Sequence, residues 1–171
     1  MTLLLRSMQA LLRAWRRPPI KDVNEVTSHK FRVLPIDLDV YMHMNHAKYL
    51  NYLEAARWDL QVRSGFLKLA LKNKWIGPLG HVQIDYYRPL VFFQEFEIKT
   101  QFVAFEEKWL YIVQRIWSND KEVARALVRS TIRKGRLNIP PEEYLVPLGF
   151  KLEELEVAKD IEEWVRQRVG Q

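Results

Sequence analysis

Apolar and polar positions follow two different periods along the chain, and the changes of period predict its elements. From Glu122 to Lys134, small or apolar side chains stand at every second position and arginines stand between them, as in a strand with one buried face. Other β-compatible runs cover residues 25–36, 80–88, 95–105 and 108–117. The sequence SNDK at residues 118–121 supplies a hairpin turn. These runs predict one early strand and four later strands in antiparallel succession.

Helical periodicity occurs in the middle and at the end of the chain. Asn45 can cap a helix that runs to Arg63 and stops at Gly65. Its apolar positions are Tyr49, Leu53, Ala56 and Leu60. A short helical piece is predicted at residues 66–72, and a terminal helix at residues 151–169. The apolar positions of the terminal helix are Leu152, Leu155, Ile161, Trp164 and Val165. This order of elements predicts an α+β domain with a long helix on one face of a curled sheet.

The first 17 residues predict a basic amphipathic helix. Its apolar side chains are Leu4, Met8, Leu11 and Trp15, and its basic ones are Arg6, Arg13, Arg16 and Arg17. The run is too short to span a bilayer, and no small-residue cleavage site follows it. Three roles stay open: peripheral membrane contact through residues 1–17, packing on the body or on a partner subunit, and an organelle presequence.

Prolines mark the boundaries of the predicted regions. Pro18 and Pro19 break the first helix, so we expect an N-terminal helix at residues 1–19 and a central domain at residues 20–136. A proline-rich loop and the C-terminal helix then occupy residues 137–171.

Charge and composition exclude several classes of function. The net charge of +6 comes from the tail, because five cations precede the first acid, Asp22, and the remainder holds 22 basic against 21 acidic residues. We therefore expect no nucleic-acid partner. The chain has no cysteine, which rules out thiolate chemistry and fits a cytoplasmic protein. Without a G-x-S-x-G elbow or clustered glycines, neither a serine triad nor a nucleotide cofactor is expected.

The segment DLDVYMHMNH at residues 37–46 is the densest polar cluster in the sequence. It gathers Asp37, Asp39, His43, Asn45 and His46 immediately before the long helix. Helix capping explains one of these residues but not five. A carboxylate beside the free amides of a helix start can also carry out acyl transfer, as general base or as nucleophile. Metal binding is the weaker interpretation, because no complete ligand set can be assembled, and we expect no metal.

Residues 37–57, DLDVYMHMNHAKYLNYLEAAR, resemble the helix-entry signature of the hot-dog thioesterases of the 4-hydroxybenzoyl-CoA thioesterase type. The resemblance implies a hot-dog fold, in which a curled antiparallel sheet wraps around the long central helix. It also implies that Asp39 is the catalytic aspartate and that His43 and Asn45 shape the site. Two residues depart from the family pattern, Tyr41 and Met42.

The resemblance also implies substrates and assembly. Tyr49 matches the aromatic residue of the first helical turn, and Asp85 is the nearest match to an assisting acid in the following strand. Glu54, inside the helix, is a further candidate for substrate contact. The expected partners are an acyl-CoA or acyl-carrier-protein thioester and a second copy of the chain. The chain would form a homodimer or a dimer of dimers, with its sites along the subunit boundary.

Two rival functions remain at this level. A hot-dog hydratase or dehydratase acting on enoyl thioesters would also use an aspartate and a histidine at a helix entry. A non-catalytic, membrane-associated acyl-binding protein would instead depend on the N-terminal helix and be indifferent to Asp39.

Overall fold

The computed structural model describes the backbone of residues 3–169 and the side chains of residues 7–167. The α-helices are α1 (Leu3–Trp15), α2 (His46–Arg63), α3 (Phe66–Asn73), α4 (Pro141–Leu145) and α5 (Lys159–Val169). The strands are β1 (Thr27–Arg32), β2 (Leu79–Tyr86), β3 (Glu95–Glu106), β4 (Trp109–Ser118), β5 (Lys121–Lys134) and β6 (Leu137–Ile139). Short 3-10 turns lie at Pro35–Asp37, Val146–Leu148 and Leu152–Glu154. The sheet is antiparallel, in the order β1-β3-β4-β5-β2, and β6 pairs with β5.

Helix α2 packs along one face of the sheet, as predicted. Its side chains Tyr52, Leu53 and Ala56 are almost fully buried and contact Ile98 and Ile116 of the sheet. Each large apolar side chain buried in this way contributes about 1.5 to 3 kcal/mol. The hydrophobic contact between α2 and the sheet therefore holds the N-terminus of α2 at a fixed place over the strands.

Strand β5 shows the predicted alternation. Ala124, Ala126 and Val128 face the α2 side and are fully buried. The guanidinium groups of Arg125 and Arg129 point to the opposite side of the sheet, where they lie over the rings of Trp164 and Trp109. The four later strands occupy the predicted positions to within two residues.

The predicted terminal helix at residues 151–169 is wrong in its first half. A 3-10 turn at Leu152–Glu154 and an extended segment precede α5. Asn24 interrupts the helix, because its side chain donates to the Glu154 carbonyl and accepts from the Glu156 amide. The apolar positions consequently divide between two clusters. Leu152 and Leu155 pack on the α2 side, whereas Ile161, Trp164 and Val165 pack on the opposite face of the sheet.

The remaining differences lie at loops and ends. The first predicted strand is shorter than residues 25–36, because Pro35 begins a 3-10 turn. The predicted proline-rich loop contains β6 and α4.

Helix α1 also differs from the amphipathic pattern expected of it. It packs on α2 through Ala10 and Ala14, which are almost completely buried, while Met8 and Trp15 are exposed. The side chains of Leu4 and Arg6 lie outside the described residues. Helix α1 therefore packs on the body, which was one of its three expected roles. It does so with small residues, whereas the sequence pattern predicted contact through large ones.

Candidate active site

Asp37 and Asp39 belong to the turn that leads into α2, and they have different surroundings. The Asp37 carboxylate is fully buried, where it accepts hydrogen bonds from the Leu34 amide (3.0 Å) and the Tyr52 hydroxyl (2.5 Å). Its own carbonyl accepts from the Asn45 amide. A carboxylate held in this way fixes the turn against α2 and has little access to a substrate.

The Asp39 carboxylate is half-buried and is held by backbone amides. Oδ1 accepts from the amides of Tyr41 (2.9 Å) and His43 (3.2 Å), and the Asp39 amide donates to the His43 carbonyl (2.8 Å). Met42 takes a positive φ of 61° so that the turn can close around the carboxylate. Oδ2 accepts no hydrogen bond from the described residues. One oxygen thus orients the carboxylate, and the other is available for chemistry.

Asp39 borders an open cleft of about 340 Å³ at the start of α2. The cleft is also lined by Met44, His46, Tyr49, Tyr86, Tyr87, Arg88 and Pro89. The Tyr49 and Tyr86 rings meet edge to face at 5.0 Å, and the Tyr86 hydroxyl donates to the His46 carbonyl. Burial, with a smaller contribution from Tyr86, raises the pKa of Tyr49 to about 12. The wall formed by Tyr49 is therefore neutral and apolar at physiological pH.

The start of α2 leaves one backbone donor at this cleft. Asn45 caps the helix by accepting from the Ala47 amide (2.9 Å). The amide of His46, the first helical residue, donates to no acceptor in the described part of the chain. Such amides carry the positive end of the helix dipole and stabilise negative charge. A carboxylate and a free amide at the edge of one cleft form an arrangement suited to acyl transfer.

The other predicted site residues lie in different places. The His43 side chain is exposed, and the residue contributes its backbone to the Asp39 turn. Asp85 is not among the residues that line the cleft, and its carboxylate accepts from the Trp164 indole (2.8 Å) of α5. Glu54 lies two turns along α2 from the cleft and borders a separate cavity. The structure thus brings Asp39 and Tyr49 to one cleft, places Asn45 as the helix cap next to it in sequence, and leaves Asp85 and Glu54 apart from the cleft.

The separate cavity is a feature that the sequence did not predict. It encloses about 360 Å³ between α2, α3 and the sheet, and its walls are mainly apolar. The walls include the side chains of Trp58, Phe66, Ala70, Phe102, Ile112 and Tyr144. Because they come from five distant segments, the spacing of residues within one segment could not indicate the cavity.

A buried polar group closes one side of this cavity. The Arg57 guanidinium donates to the Gln114 side chain (2.8 Å), which in turn donates to Leu53 and Thr100. Burial lowers the pKa of Arg57 to about 10, and Glu54 partly opposes this shift. Among the described residues, no group of three or more histidines and carboxylates comes close enough to hold a metal ion.

Comparison with known proteins shows the family. The model of the thioesterase-like superfamily matches residues 33–168. Protein THEM6 of Danio rerio is 31% identical over 165 residues, which cover 95% of this chain and 80% of that protein. Long-chain acyl-CoA thioesterase FadM of Escherichia coli is 33% identical over 72 residues, or 42% of this chain and 54% of that protein.

Solved structures show the same architecture. The probable thioesterase YbaW of Escherichia coli superposes with a TM-score of 0.66 at 27% identity, covering 71% of this chain and 94% of that one. A gentisyl-coenzyme A thioesterase, BH1999, superposes with a TM-score of 0.62 at 18% identity, covering 72% and 98%. The predicted hot-dog fold is confirmed. The chain therefore belongs to the thioesterase-like superfamily, as a thioester hydrolase of the hot-dog fold.

Proposed function

We propose that the protein hydrolyses acyl-CoA thioesters with Asp39 as general base or nucleophile. The observation that carries this proposal is the Asp39 carboxylate at a cleft beside the α2 N-terminus. One of its oxygens is fixed by two amides, and the other meets no donor among the described residues. As base, Asp39 takes a proton from water, and the hydroxide attacks the thioester carbon. As nucleophile, it attacks that carbon directly, and water then hydrolyses the anhydride.

In both routes the carbonyl oxygen gains negative charge, which the His46 amide at the helix start stabilises. The C–S bond breaks, and the CoA thiolate leaves and takes up a proton. Asn45 caps the helix, and the His43 amide holds Asp39 in place. Arg88 at the cleft supplies a cation for the phosphates of CoA.

The cavity beside α3 fits the acyl group. Its apolar walls suit a hydrocarbon chain, and its volume of about 360 Å³ is within the usual range for small-molecule sites. We infer a fatty acyl-CoA as substrate, an inference that the name of the long-chain acyl-CoA thioesterase of Escherichia coli supports.

We infer further that a second copy completes the site. Among the described strands, β2 pairs only with β5, so its other edge offers backbone groups for pairing. The cleft of Asp39 borders the Tyr86 end of β2, whereas the acyl cavity borders the Leu79 end. Antiparallel pairing of two β2 edges would place the Tyr86 end of one protomer beside the Leu79 end of its partner. The catalytic cleft of one chain would then open toward the acyl cavity of the other.

The direct test is release of free thiol from acyl-CoA by the wild type and by Asp39→Asn. The substitution keeps the shape of the side chain but removes its basicity, so we expect kcat to fall by about 10² to 10⁴. Asp120→Asn, in the exposed β4–β5 turn, makes the same chemical change far from the cleft and should retain full activity.

Two outcomes would contradict the proposal. Hydration of a crotonyl-type CoA without release of thiol would instead indicate a hydratase. Unchanged thiol release by Asp39→Asn would remove Asp39 from the chemistry and favour the acyl-binding alternative.

A further inference from the structure

Helix α1 carries an exposed apolar stripe, which we define as Met8, Leu12 and Trp15. These residues follow one another at steps of four and three, so they project on the same side of the helix. Their exposed fractions are 49%, 52% and 71%. The opposite side, with Ala10 and Ala14, already packs on α2. The stripe is therefore a second apolar surface of α1, and the protein's own core does not use it.

A basic hollow of about 380 Å³ lies beside the stripe, where the end of α1 meets β1. It is lined by Arg13, Arg16, Arg17, Ser28, His29 and Lys30. The guanidinium of Arg17 is engaged, since it donates to Asp59 and to the Ser28 carbonyl. No ion pair within the described residues neutralises Arg13 or Arg16, and Lys30 makes none there either, although Glu95 lies near enough to attract it. The hollow thus holds an excess of positive charge.

His29 is the most buried side chain of the hollow's lining that carries a titratable group. It is only 6% exposed, stacks on Phe31 and lines the hollow. Its Nδ1 has no hydrogen-bond partner in the described structure. Burial lowers the pKa of His29, and the charges of Arg13 and Arg17 lower it further, against an opposing contribution from Asp59. Because its nitrogen is enclosed, His29 adds no contact for a ligand, and the cations Arg13, Arg16 and Lys30 are the groups that would bind an anion with oxygen acceptors.

We propose that the hollow binds the phosphate of an anionic phospholipid while the stripe inserts into the membrane interface. Successive helical residues are about 100° apart, so Arg13 lies on α1 between the stripe and the buried alanines, and Arg16 follows in the turn that ends the helix. The cations therefore border the apolar side chains, as in helices that lie in the plane of a membrane surface. A soluble phosphate ester would use the hollow but not the stripe. No described helix is long and apolar enough to cross a bilayer.

The test is cosedimentation of the full chain with vesicles of phosphatidylcholine, with or without about a third of phosphatidylglycerol. We expect binding to the anionic vesicles that weakens as salt is added. The triple variant Arg13→Gln, Arg16→Gln, Lys30→Gln should bind roughly a hundredfold more weakly, because each cation near such a surface contributes about a fivefold gain. A matched control removes two exposed lysines of α3 and the exposed lysine that caps its C-terminus, with Lys68→Gln, Lys72→Gln and Lys74→Gln. This control should lose no more than about fivefold, since α3 lies away from the proposed contact.

The stripe is tested separately with Leu12→Ser and Trp15→Ser together, which should weaken vesicle binding roughly tenfold or more. Tryptophan fluorescence at saturating vesicle concentration reports insertion of the stripe separately from affinity. Vesicles should shift the emission of the wild type to shorter wavelength, and Trp15→Phe should remove that shift while binding persists. Urea unfolding of each variant identifies any that is simply unfolded.

Three results would overturn the proposal. If the α3 control lost as much vesicle binding as the triple variant of the hollow, the loss would reflect net charge alone and not a site. Displacement of the protein from vesicles by millimolar inorganic phosphate, with the stripe variant unaffected, would assign the hollow to a soluble phosphate. Dissociation of an oligomer by the stripe variant, without any vesicle binding by the wild type, would make the stripe a contact between protein chains. Thiol release does not enter any of these measurements, so this proposal and the proposed catalytic role of Asp39 can fail independently.

Discussion

At the scale of single residues, the turn before α2 shows how two neighbouring carboxylates acquire different tasks. Asp37 is enclosed and receives hydrogen bonds from the Leu34 amide and the Tyr52 hydroxyl, so it stabilises the turn. Asp39 is only half-buried, and one of its oxygens accepts from no donor in the part of the chain that the structure describes. Sequence alone singled out the cluster and the resemblance singled out Asp39, but the hydrogen bond that encloses Asp37 comes from Tyr52 on α2, and no pattern within the turn indicates it.

Tyr52→Phe tests the structural role of Asp37. The substitution removes the hydroxyl that donates to the buried carboxylate but keeps the ring against Phe31 and Phe96. We expect the free energy of unfolding in urea to fall by about 1 to 3 kcal/mol. Tyr41→Phe makes the same change at an exposed side chain and should shift stability by less than about 0.5 kcal/mol. Equal stability of the two variants would contradict the assignment.

Tyr49 predicts how stability depends on alkaline pH. Its pKa is raised to about 12, chiefly by burial, whereas a tyrosine in the unfolded chain titrates near pH 10. Between these values the unfolded chain releases a proton that the folded protein retains, so stability should fall as pH rises. The slope is at most about 1.4 kcal/mol per pH unit. Urea midpoints measured from about pH 9 to about pH 11.5 should fall more steeply for the wild type than for Tyr49→Phe. Parallel curves would show that Tyr49 is not the group responsible.

At the scale of elements, α1 and α2 are joined by a buried charge as well as by alanines. The Asp59 carboxylate of α2 is fully buried and pairs with Arg17 (3.2 Å) after α1 and with Arg63 (3.3 Å) on α2 itself. Arg63 also pairs with Glu25 and donates to the Pro18 carbonyl. This network ties the segment after α1 to the end of α2.

Asp59→Asn tests this connection. It would leave two guanidinium groups without their shared carboxylate, so we expect a loss of about 3 kcal/mol in the free energy of unfolding. Asp160→Asn alters an ion pair whose carboxylate is 58% exposed, and its effect should stay below about 0.5 kcal/mol. If a probe on α1 showed a loss of stability while a probe on the remaining domain showed none, α1 would unfold separately from that domain.

The elements also show what sequence patterns can and cannot predict. The alternation in β5 and the cap at Asn45 are local, so the strand and the start of α2 were predicted correctly. The terminal helix was predicted too long, because the prediction joined Leu152 to Ile161 in one helix, whereas the two residues pack on opposite faces of the sheet. The hydrogen bonds of Asn24 that separate these segments join residues 130 and 132 positions apart. The cavity beside α3 escaped prediction for the same reason.

At the scale of the whole molecule, the distance between the cleft and the acyl cavity along β2 makes assembly part of the proposed function. If the two parts of a site come from different chains, two inactive variants should complement each other. Asp39→Asn has an intact cavity, and Ala70→Trp has a filled cavity with an intact Asp39. A heterodimer of the two then holds one site with both parts intact and one with neither.

The measurement is thiol release by heterodimers isolated through two different tags. We expect about half of the activity of the wild-type dimer, while each homodimer stays below about a hundredth. A mixture of the wild type with Asp39→Asn calibrates the exchange of subunits. An inactive heterodimer of the two variants would mean that the cleft and the cavity act within one chain.

The two outer strands of the sheet have different surroundings, and this asymmetry bears on how large an assembly can grow. Along β1, Arg17 occupies the Ser28 carbonyl and the end of α1 lies over the strand, whereas β2 has its outer side open. If a sheet can pair with another chain only through the edge of β2, pairing stops once two chains have joined. The end of α1, which forms part of the basic hollow, would thus also block the edge of β1 and prevent continued edge-to-edge association of chains, to which exposed sheet edges are prone.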